Sequence, residues 1–249
     1  MQRRPEYPKK PNIAPSLEEN SSIPVFIPEG KPFPFLRLLI LRFVGNFLVI
    51  FALFGIFATI GPALFYEIRF QLDTITGIKY VVQQPNISSQ LGTIKSNEKI
   101  LTPPDTYFSI VIPKIGASSR VLINVDPTNE KEYLAALQKG VAHAKGSVFP
   151  GQAGTSYFFS HSTDNFWDVG RYNAVFYLLK DMNVGDDVYI YFRNYRYNYK
   201  VTKTEITDAN DVSLLVNAQK DKTEQVVLQT CWPPGTDWKR FIVIAKPVK

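Results

Sequence analysis

One long apolar segment and a series of short apolar runs make up the hydrophobic pattern of this chain. Residues 43–66 contain no charged side chain, and they exceed the roughly 20 apolar residues that cross a bilayer. A buried core helix seldom runs this long without a charge. A signal peptide would have a shorter apolar core closer to the N-terminus. Residues 43–66 are therefore predicted to form an uncleaved transmembrane anchor.

The flanks of the apolar segment predict its orientation. Residues 1–42 contain seven Lys+Arg and four Asp+Glu, whereas basic and acidic residues are interleaved just after the segment. Basic residues favour the cytoplasmic side, so the N-terminus is predicted to be cytoplasmic and the remainder extracytoplasmic. Residues 1–42 are rich in proline and charge, which is typical of a disordered tail. Residues 67–105 are predicted to be a stalk, partly helical near the membrane.

From residue 106 onward, short apolar runs bounded by turn residues predict β-strands. The predicted strands are 107–112, 121–125, 155–159, 187–192, 195–201, 226–231 and 241–245. The predicted short helices are 130–137, 172–182 and 211–216. We expect seven or eight strands in residues 106–249, and their close spacing favours a closed barrel over an open sheet.

Charge argues against nucleic acid as a partner. The net charge of +6 is divided evenly, because residues 1–42 and residues 70–249 each contribute +3. A nucleic-acid-binding domain would concentrate its basic residues. A mildly basic extracytoplasmic domain next to a polyanionic envelope is the simpler explanation.

The single cysteine, Cys231, is the strongest candidate for chemistry. One cysteine excludes an intramolecular disulfide and a cysteine-cluster metal site. A lone cysteine is most often a small buried hydrophobe, but Cys231 ends an apolar run and precedes a proline-rich turn. Arg240 opens the next apolar run, and His161 ends another. A thiol, an imidazole and a guanidinium at strand ends are the groups that thiol acyl transfer uses.

Two of these residues have competitors. His143 is the other histidine and a rival base, although it precedes the turn before the strand that leads to His161. Lys239 is a rival cation, but alternation places it on the opposite strand face from Arg240. The planar, bidentate guanidinium suits an oxyanion or a peptide backbone better than an ammonium does.

The remaining site predictions concern substrate and metals. Thr230 is expected to shape the oxyanion site, and Trp232 and Trp167 are expected to line a peptide groove, although aromatic residues at loop bases are more often packing residues. No cofactor is predicted. Two histidines and one cysteine argue against zinc. Calcium stays open, because Asp164 and Asp168 could contribute oxygen ligands without a recognisable calcium-loop motif.

These motifs resemble those of the sortases. Leu228-Gln229-Thr230-Cys231, with Arg240 nine residues later, resembles the L-x-T-C…R signature, with Val227 where the usual form has Thr. His161 lies 70 residues before Cys231, as that family has it. Pro150-Gly151-Gln152-Ala153-Gly154 resembles the P-G-x-x-G turn of the family. One departure is Ser160-His161-Ser162, where many relatives have Gly-His-Arg. The resemblance covers about residues 107–247.

The resemblance implies an eight-stranded β-barrel with cysteine transpeptidase activity. Such an enzyme cleaves a C-terminal sorting signal of the LPxTG type on a surface protein, holds the acyl group as a thioester, and transfers it to an amine of the cell envelope, on a peptidoglycan precursor or a protein lysine. Cys231 would be the nucleophile, His161 the general base and acid, and Arg240 the oxyanion or backbone ligand. Membrane lipid would surround the anchor.

Two other functions fit the residues without the resemblance. A membrane-anchored thiol protease would use the same pair and pass the acyl group to water. A non-catalytic surface domain would bind peptide or envelope polymer, and its thiol would be unreactive. The sorting motif, the acceptor amine and the subclass are not fixed by the sequence.

Overall fold

The computed structural model describes residues 34–83, 97–162 and 175–248. The long apolar segment lies within one helix, α1, Pro34–Ile75. Within α1, Phe35–Ala58 is long and apolar enough to cross a membrane, and residues 35–57 are exposed. This fits a single-pass membrane anchor. This candidate span begins nearer the N-terminus than the predicted 43–66. The prediction was limited to residues without charge, whereas the span in the structure includes Arg37 and Arg42.

The chain divides into two compact units, residues 1–50 and 51–249, and the second contains the C-terminal part of α1. After α1, β1 (Lys79–Val82) pairs in parallel with β2 (Glu98–Leu101). Asp73, near the end of α1, accepts hydrogen bonds from the Tyr80 hydroxyl at 2.6 Å and from Lys99 Nζ at 2.7 Å. Asp73 thus joins the helix to both short strands.

Eight further strands form a closed barrel, in the order β10-β8-β7-β3-β4-β5-β6-β9. They are β3 (Phe108–Ile112), β4 (Ala117–Val125), β5 (Val141–Ala144), β6 (Thr155–Phe159), β7 (Asp187–Phe192), β8 (Tyr195–Asp208), β9 (Gln225–Trp232) and β10 (Lys239–Pro247). Two pairs, β4 with β5 and β6 with β9, are parallel, and the others are antiparallel. The predicted eight-stranded barrel is confirmed.

The helices of the barrel domain are short. Those within the described residues are α2 (Glu130–Leu137), α3 (Ser213–Val216) and the 3-10 helices Pro113–Ile115 and Tyr177–Asp181. The prediction for 130–137 agrees with α2, where the Asn129 side chain caps the first turn. The helix predicted at 172–182 is a 3-10 helix from Tyr177, and residues 172–174 lie outside the described part. Strand β5 was not predicted, because it has only four residues, all of them buried.

The barrel strands alternate between two buried faces. Phe158, Leu228 and Val243 belong to the cluster inside the barrel. Their neighbours Tyr157 and Val227 belong to a second cluster, on the outer face, which also contains Leu137 of α2. Because successive side chains of a strand point to opposite faces, one run of residues supplies both clusters. The outer face leads to the candidate site.

His143 lies in the inner part of the barrel and not in the candidate site. Its ring stacks on Phe149, with ring centroids 4.8 Å apart, and its Nε2 is 3.0 Å from the carbonyl oxygen of Val148. Its Nδ1 is buried without a hydrogen-bond partner, and burial lowers the pKa of the imidazole. His143 is therefore a packed core histidine, and its interpretation as the rival base is wrong.

We expect His143 to make the fold less stable in mild acid. Its lowered pKa means that the unfolded state binds a proton more readily than the folded state. The stability is therefore complete above the unfolded pKa of about 6.5 and falls as the pH drops below it, by at most about 1.4 kcal/mol per pH unit. Thermal unfolding of the full chain in detergent micelles between pH 7.5 and 5 should show a steeper decrease in Tm for the wild type than for His143→Gln. Parallel curves would contradict this.

Candidate active site

Strand pairing brings Cys231 and Arg240 together. In the antiparallel pair of β9 and β10, Cys231 lies directly opposite Arg240, and Lys239 lies opposite Trp232. Directly opposed residues have Cβ atoms about 4.5–5.5 Å apart on one face of the sheet. The register therefore gives the thiol a guanidinium as its cross-strand neighbour and places Lys239 on the other face.

His161 reaches the same edge through the parallel pair of β6 and β9. Every paired residue in these strands is offset by 70 positions, from Thr155 opposite Gln225 to Phe159 opposite Gln229. The pairing continues past β6, because the Ser160 amide donates to the Gln229 carbonyl at 3.1 Å. The same offset brings His161 to Cys231. The 70-residue spacing in the sequence is thus the register of a parallel strand pair.

A cavity of about 370 Å³ contains all three side chains, and we call it the Cys231 cavity. Its floor is the outer face of β6, β9 and β10, and its walls come from α2 and from the segment that includes α3. The lining residues are Pro127, Tyr133, Leu134, Leu137, Tyr157, Phe159, Ser160, His161, Ala209, Asp211, Val212, Leu215, Gln229, Thr230, Cys231, Asp237 and Arg240. Its walls carry apolar side chains such as Leu134 and Leu215, and polar side chains line it near the thiol.

The charges near Cys231 act in opposite directions on its thiol. Burial raises the pKa of Cys231, the charge of Arg240 lowers it, and the carboxylate of Asp237 raises it again, with a net increase above the ordinary value. Arg240 is held by its own loop, since its Nη1 donates to the carbonyl oxygens of Asp237 at 2.9 Å and Lys239 at 3.1 Å. The pKa of the Cys231 thiol therefore lies above its ordinary value, and the protonated form predominates at neutral pH.

Thr230 lines the cavity and also joins two strands. Its side chain is buried, and its hydroxyl donates to the Ser160 carbonyl at 3.1 Å. This bond ties the residue before Cys231 to the residue before His161. Thr230 therefore positions the two candidate catalytic residues relative to each other. The sequence motif alone did not reveal this hydrogen bond to Ser160.

Of the two tryptophans predicted to contact substrate, the structure describes Trp232 but not Trp167. Trp232 follows Cys231 and points to the other face of β9, where its ring packs on Phe241 with centroids 5.7 Å apart. It is absent from the described lining of the Cys231 cavity, so this geometry gives it a packing role. Trp167 lies outside the described residues, as do Asp164 and Asp168. Within the described ranges, no group of three or more His, Cys, Asp or Glu residues could hold a metal ion.

Sequence reasoning missed several polar residues of the cavity, among them Tyr157, Gln229 and Asp237. Gln229 lies two residues before Cys231, so period-two alternation could have placed it on the same face. Tyr157 could be placed only by the pairing of β6 with β9, and Asp237 only by the path of the loop between β9 and β10.

The comparisons with known proteins agree with this geometry. The family model of the sortase domain matches residues 110–248, more than half of the chain. The chain belongs to the sortase family. The predicted family membership is confirmed, and sortases are cysteine transpeptidases.

Individual sortases are distant in sequence. Sortase D of Bacillus subtilis is 26% identical over 184 residues, which cover 71% of this chain and 83% of that protein. The structure of sortase A from Corynebacterium diphtheriae has 27% identity and a TM-score of 0.48, and the match covers 57% of this chain and 60% of that one. A Clostridium perfringens sortase D5 transpeptidase has 22% identity and a TM-score of 0.45, with 58% and 80% covered.

We predict that Arg240 and Asp237 shift the reactivity of the thiol in opposite directions. Arg240→Gln removes the charge that lowers the pKa of Cys231. The midpoint of the pH profile for alkylation by iodoacetamide should therefore lie at higher pH than in the wild type. Asp237→Asn should move that midpoint to lower pH. The midpoint of each profile reports the thiol pKa, and the plateau at high pH reports access, so the two effects separate. Identical midpoints in all three proteins would contradict the assignment.

We also predict that Thr230→Val destabilises the sortase without a change of side-chain shape. The Ser160 carbonyl would lose its hydroxyl donor in a buried position, which costs about 1–3 kcal/mol. Thermal unfolding in detergent should show a Tm lower by several degrees. Thr236→Val is the matched control, because the Thr236 hydroxyl donates to the Pro233 carbonyl in an exposed loop. Equal Tm values for both variants would refute the role of Thr230.

Proposed function

We propose that this sortase cleaves an LPxTG-like C-terminal sorting signal of surface proteins and transfers the new carboxyl terminus to an amine of the cell envelope. The observation that carries the proposal is the convergence of Cys231, His161 and Arg240 on one cavity. These are the nucleophile, the proton carrier and the fixed cation that acyl transfer requires. An additional cofactor is not needed for this chemistry.

The first half of the reaction forms the acyl-enzyme. Because the thiol is mostly protonated in the empty cavity, its proton must leave as the sulfur attacks, and His161 accepts it as general base. The sulfur bonds to the carbonyl carbon of the scissile amide, and the carbonyl oxygen becomes an oxyanion. Arg240 donates hydrogen bonds to this oxyanion or to the neighbouring backbone. Removal of one such donor typically costs about 2.7–4 kcal/mol of barrier.

The second half releases one amine and takes up another. The protonated His161 gives its proton to the leaving nitrogen, the C–N bond breaks, and a thioester remains on Cys231. An acceptor amine then attacks the thioester while His161 removes its proton. The C–S bond breaks as the new amide forms, and His161 returns the proton to the Cys231 sulfur, which regenerates the thiol. Water in place of the amine would give hydrolysis, so the outcome depends on which nucleophile reaches the thioester.

The shape of the Cys231 cavity supports an extended peptide as substrate. Leu134 and Leu137 of α2 form one apolar wall, and Val212 and Leu215 form another. Aliphatic side chains of a sorting signal would remove these surfaces from water, at about 25 cal/mol per Å² of apolar area. The acceptor is an amine on a peptidoglycan precursor or on a protein lysine.

The anchor supports a membrane location for this reaction. The apolar helix Phe35–Ala58 fits a single membrane span, and the excess of basic residues in residues 1–42 favours a cytoplasmic N-terminus. The barrel then lies on the outer side, where surface proteins and envelope amines meet. Membrane lipid surrounds the helix, and nucleic acid has no role.

The experiment that tests the proposal uses the full chain in detergent micelles with a library of LPxTG-like peptides. Intact-mass spectrometry should show a peptide adduct on the wild type that is absent from Cys231→Ala. An added amine should discharge the adduct to a ligated product. His161→Gln should lower the rate of adduct formation at least about 100-fold, as loss of a general base does, and His143→Gln should retain the wild-type rate.

Each contrary result has a distinct meaning. A product formed with water alone, at every amine concentration, would establish a thiol hydrolase. A wild-type protein that forms no adduct and whose thiol resists alkylation would refute the catalytic proposal and favour a surface binding domain.

A further inference from the structure

Gln229 places a carboxamide on the floor of the Cys231 cavity, two residues before the thiol. Its neighbours across the sheet are Phe159 on β6 and Ile242 on β10, and both are buried. Residues i and i+2 of a strand share one face and lie about 6.6–6.8 Å apart. A polar side chain thus stands between two apolar neighbours, one strand repeat from Cys231.

The Tyr157 hydroxyl fixes the oxygen end of that carboxamide. It donates a hydrogen bond to Gln229 Oε1. Tyr157 is only 5% exposed, and burial raises the pKa of its hydroxyl, so the group stays a protonated donor at physiological pH. Because Oε1 is occupied, the orientation of the carboxamide is set, and its Nε2 is directed away from the tyrosine.

The nitrogen end of Gln229 has no protein partner. The Nε2 group carries two N–H donors and cannot accept a hydrogen bond. Within the described part of the chain, neither donor has a protein acceptor, and the Tyr157 bond involves only Oε1. Water can serve these donors while the cavity is empty. A peptide that fills the cavity displaces the water, and an unpaired donor then costs free energy unless the peptide supplies an acceptor.

An extended peptide has such an acceptor at the required spacing. Its carbonyl groups repeat on one side every second residue, with the same spacing as the residues of β9. For a peptide that runs along β9, another carbonyl therefore lies near Gln229 when Cys231 attacks one carbonyl carbon. The chemistry on the protein side is an oriented amide donor, and the matching chemistry on the peptide is an amide oxygen.

We infer that Gln229 Nε2 donates a hydrogen bond to an amide oxygen of the bound peptide, about two residues from the bond that Cys231 attacks. Tyr157 is the positioning residue that orients the Gln229 carboxamide. This assignment rests on the proposed function. The amide oxygen belongs either to the peptide backbone or to an Asn or Gln side chain of the sorting signal.

The test compares Gln229→Met with the wild type, using the full chain in detergent micelles and the peptides that form the adduct. Methionine keeps the length of the side chain and removes both donors. We expect kcat/KM to decrease about tenfold to a hundredfold, mainly through KM. Tyr157→Phe should raise KM several-fold and leave kcat within twofold, because the donor is present but no longer oriented. Gln219→Met, at an exposed position outside the cavity, is the matched control.

The two sources of the amide oxygen give different patterns. A loss that is the same for peptides changed at every position in turn would assign the bond to a backbone carbonyl. A loss that disappears when one peptide residue is changed would assign it to that side chain. Both patterns support the inference. Equal kcat/KM values for Gln229→Met, Gln219→Met and the wild type would overturn it.

Binding measurements separate this inference from the proposed function. Cys231→Ala cannot form the thioester, so fluorescence anisotropy with a labelled peptide reports affinity alone. The affinity should fall about tenfold or more in the double variant Cys231→Ala, Gln229→Met. Turnover by the wild type with unchanged affinity in the double variant would refute the inference and leave the proposed function intact. If Cys231→Ala binds none of the peptides and the wild type processes none of them, both the inference and the proposed function are refuted.

Discussion

The parallel pairing of β6 with β9 is the constraint on which the candidate site depends. Parallel strands end at the same edge of a sheet, so the residues that follow β6 meet the last residues of β9. This brings together His161 and Cys231, which are 70 residues apart in the sequence. The antiparallel partner β10 then starts at that edge and brings in Arg240. A shift by one residue in either pair would turn a side chain to the other face, and closure of the barrel leaves no free edge at which such a shift is easy.

Side chains alternate between the two faces of the barrel strands, so one face serves stability and the other contributes to the candidate site. The inward residues of β6, β9 and β10 pack in the barrel, where Phe158, Leu228 and Val243 are buried. The outward residues are covered by α2 and α3 over part of their length and then form the floor of the Cys231 cavity. Cys231 and Arg240 therefore stand on strands whose other face is a packed core, and His161 closely follows a third such strand. A rigid base of this kind keeps the distances between nucleophile, base and cation from varying.

Most of the strands and the apolar helix could be predicted from the sequence, because they depend on patterns of residues that are close together in the chain. Short apolar runs bounded by turn residues predicted seven of the eight barrel strands, and a charge-free segment predicted the apolar helix. Alternation alone places Arg240 and Lys239 on opposite faces. Pairing partners are a different matter, because they depend on contacts between residues far apart in the chain. For this reason the sequence did not reveal Tyr157 next to Gln229. The packed face of Trp232, in contrast, follows from alternation, because Trp232 is the strand neighbour of Cys231. His143 has no local signature of burial, since its environment comes from Phe149 and the barrel interior.

The electrostatics of Cys231 explain why the nucleophile needs the rest of the site. The thiolate is the species that attacks carbonyls, and it is also the species that oxidants consume. Burial and Asp237 raise the pKa of the thiol, so the empty cavity holds little thiolate. Arg240 acts in the opposite sense and keeps the thiolate accessible when a base is at hand. In the proposed reaction, proton transfer to His161 accompanies the attack on a bound carbonyl instead of preceding it. This order of events would protect the single cysteine from oxidants, since its reactive form arises mainly when substrate is present.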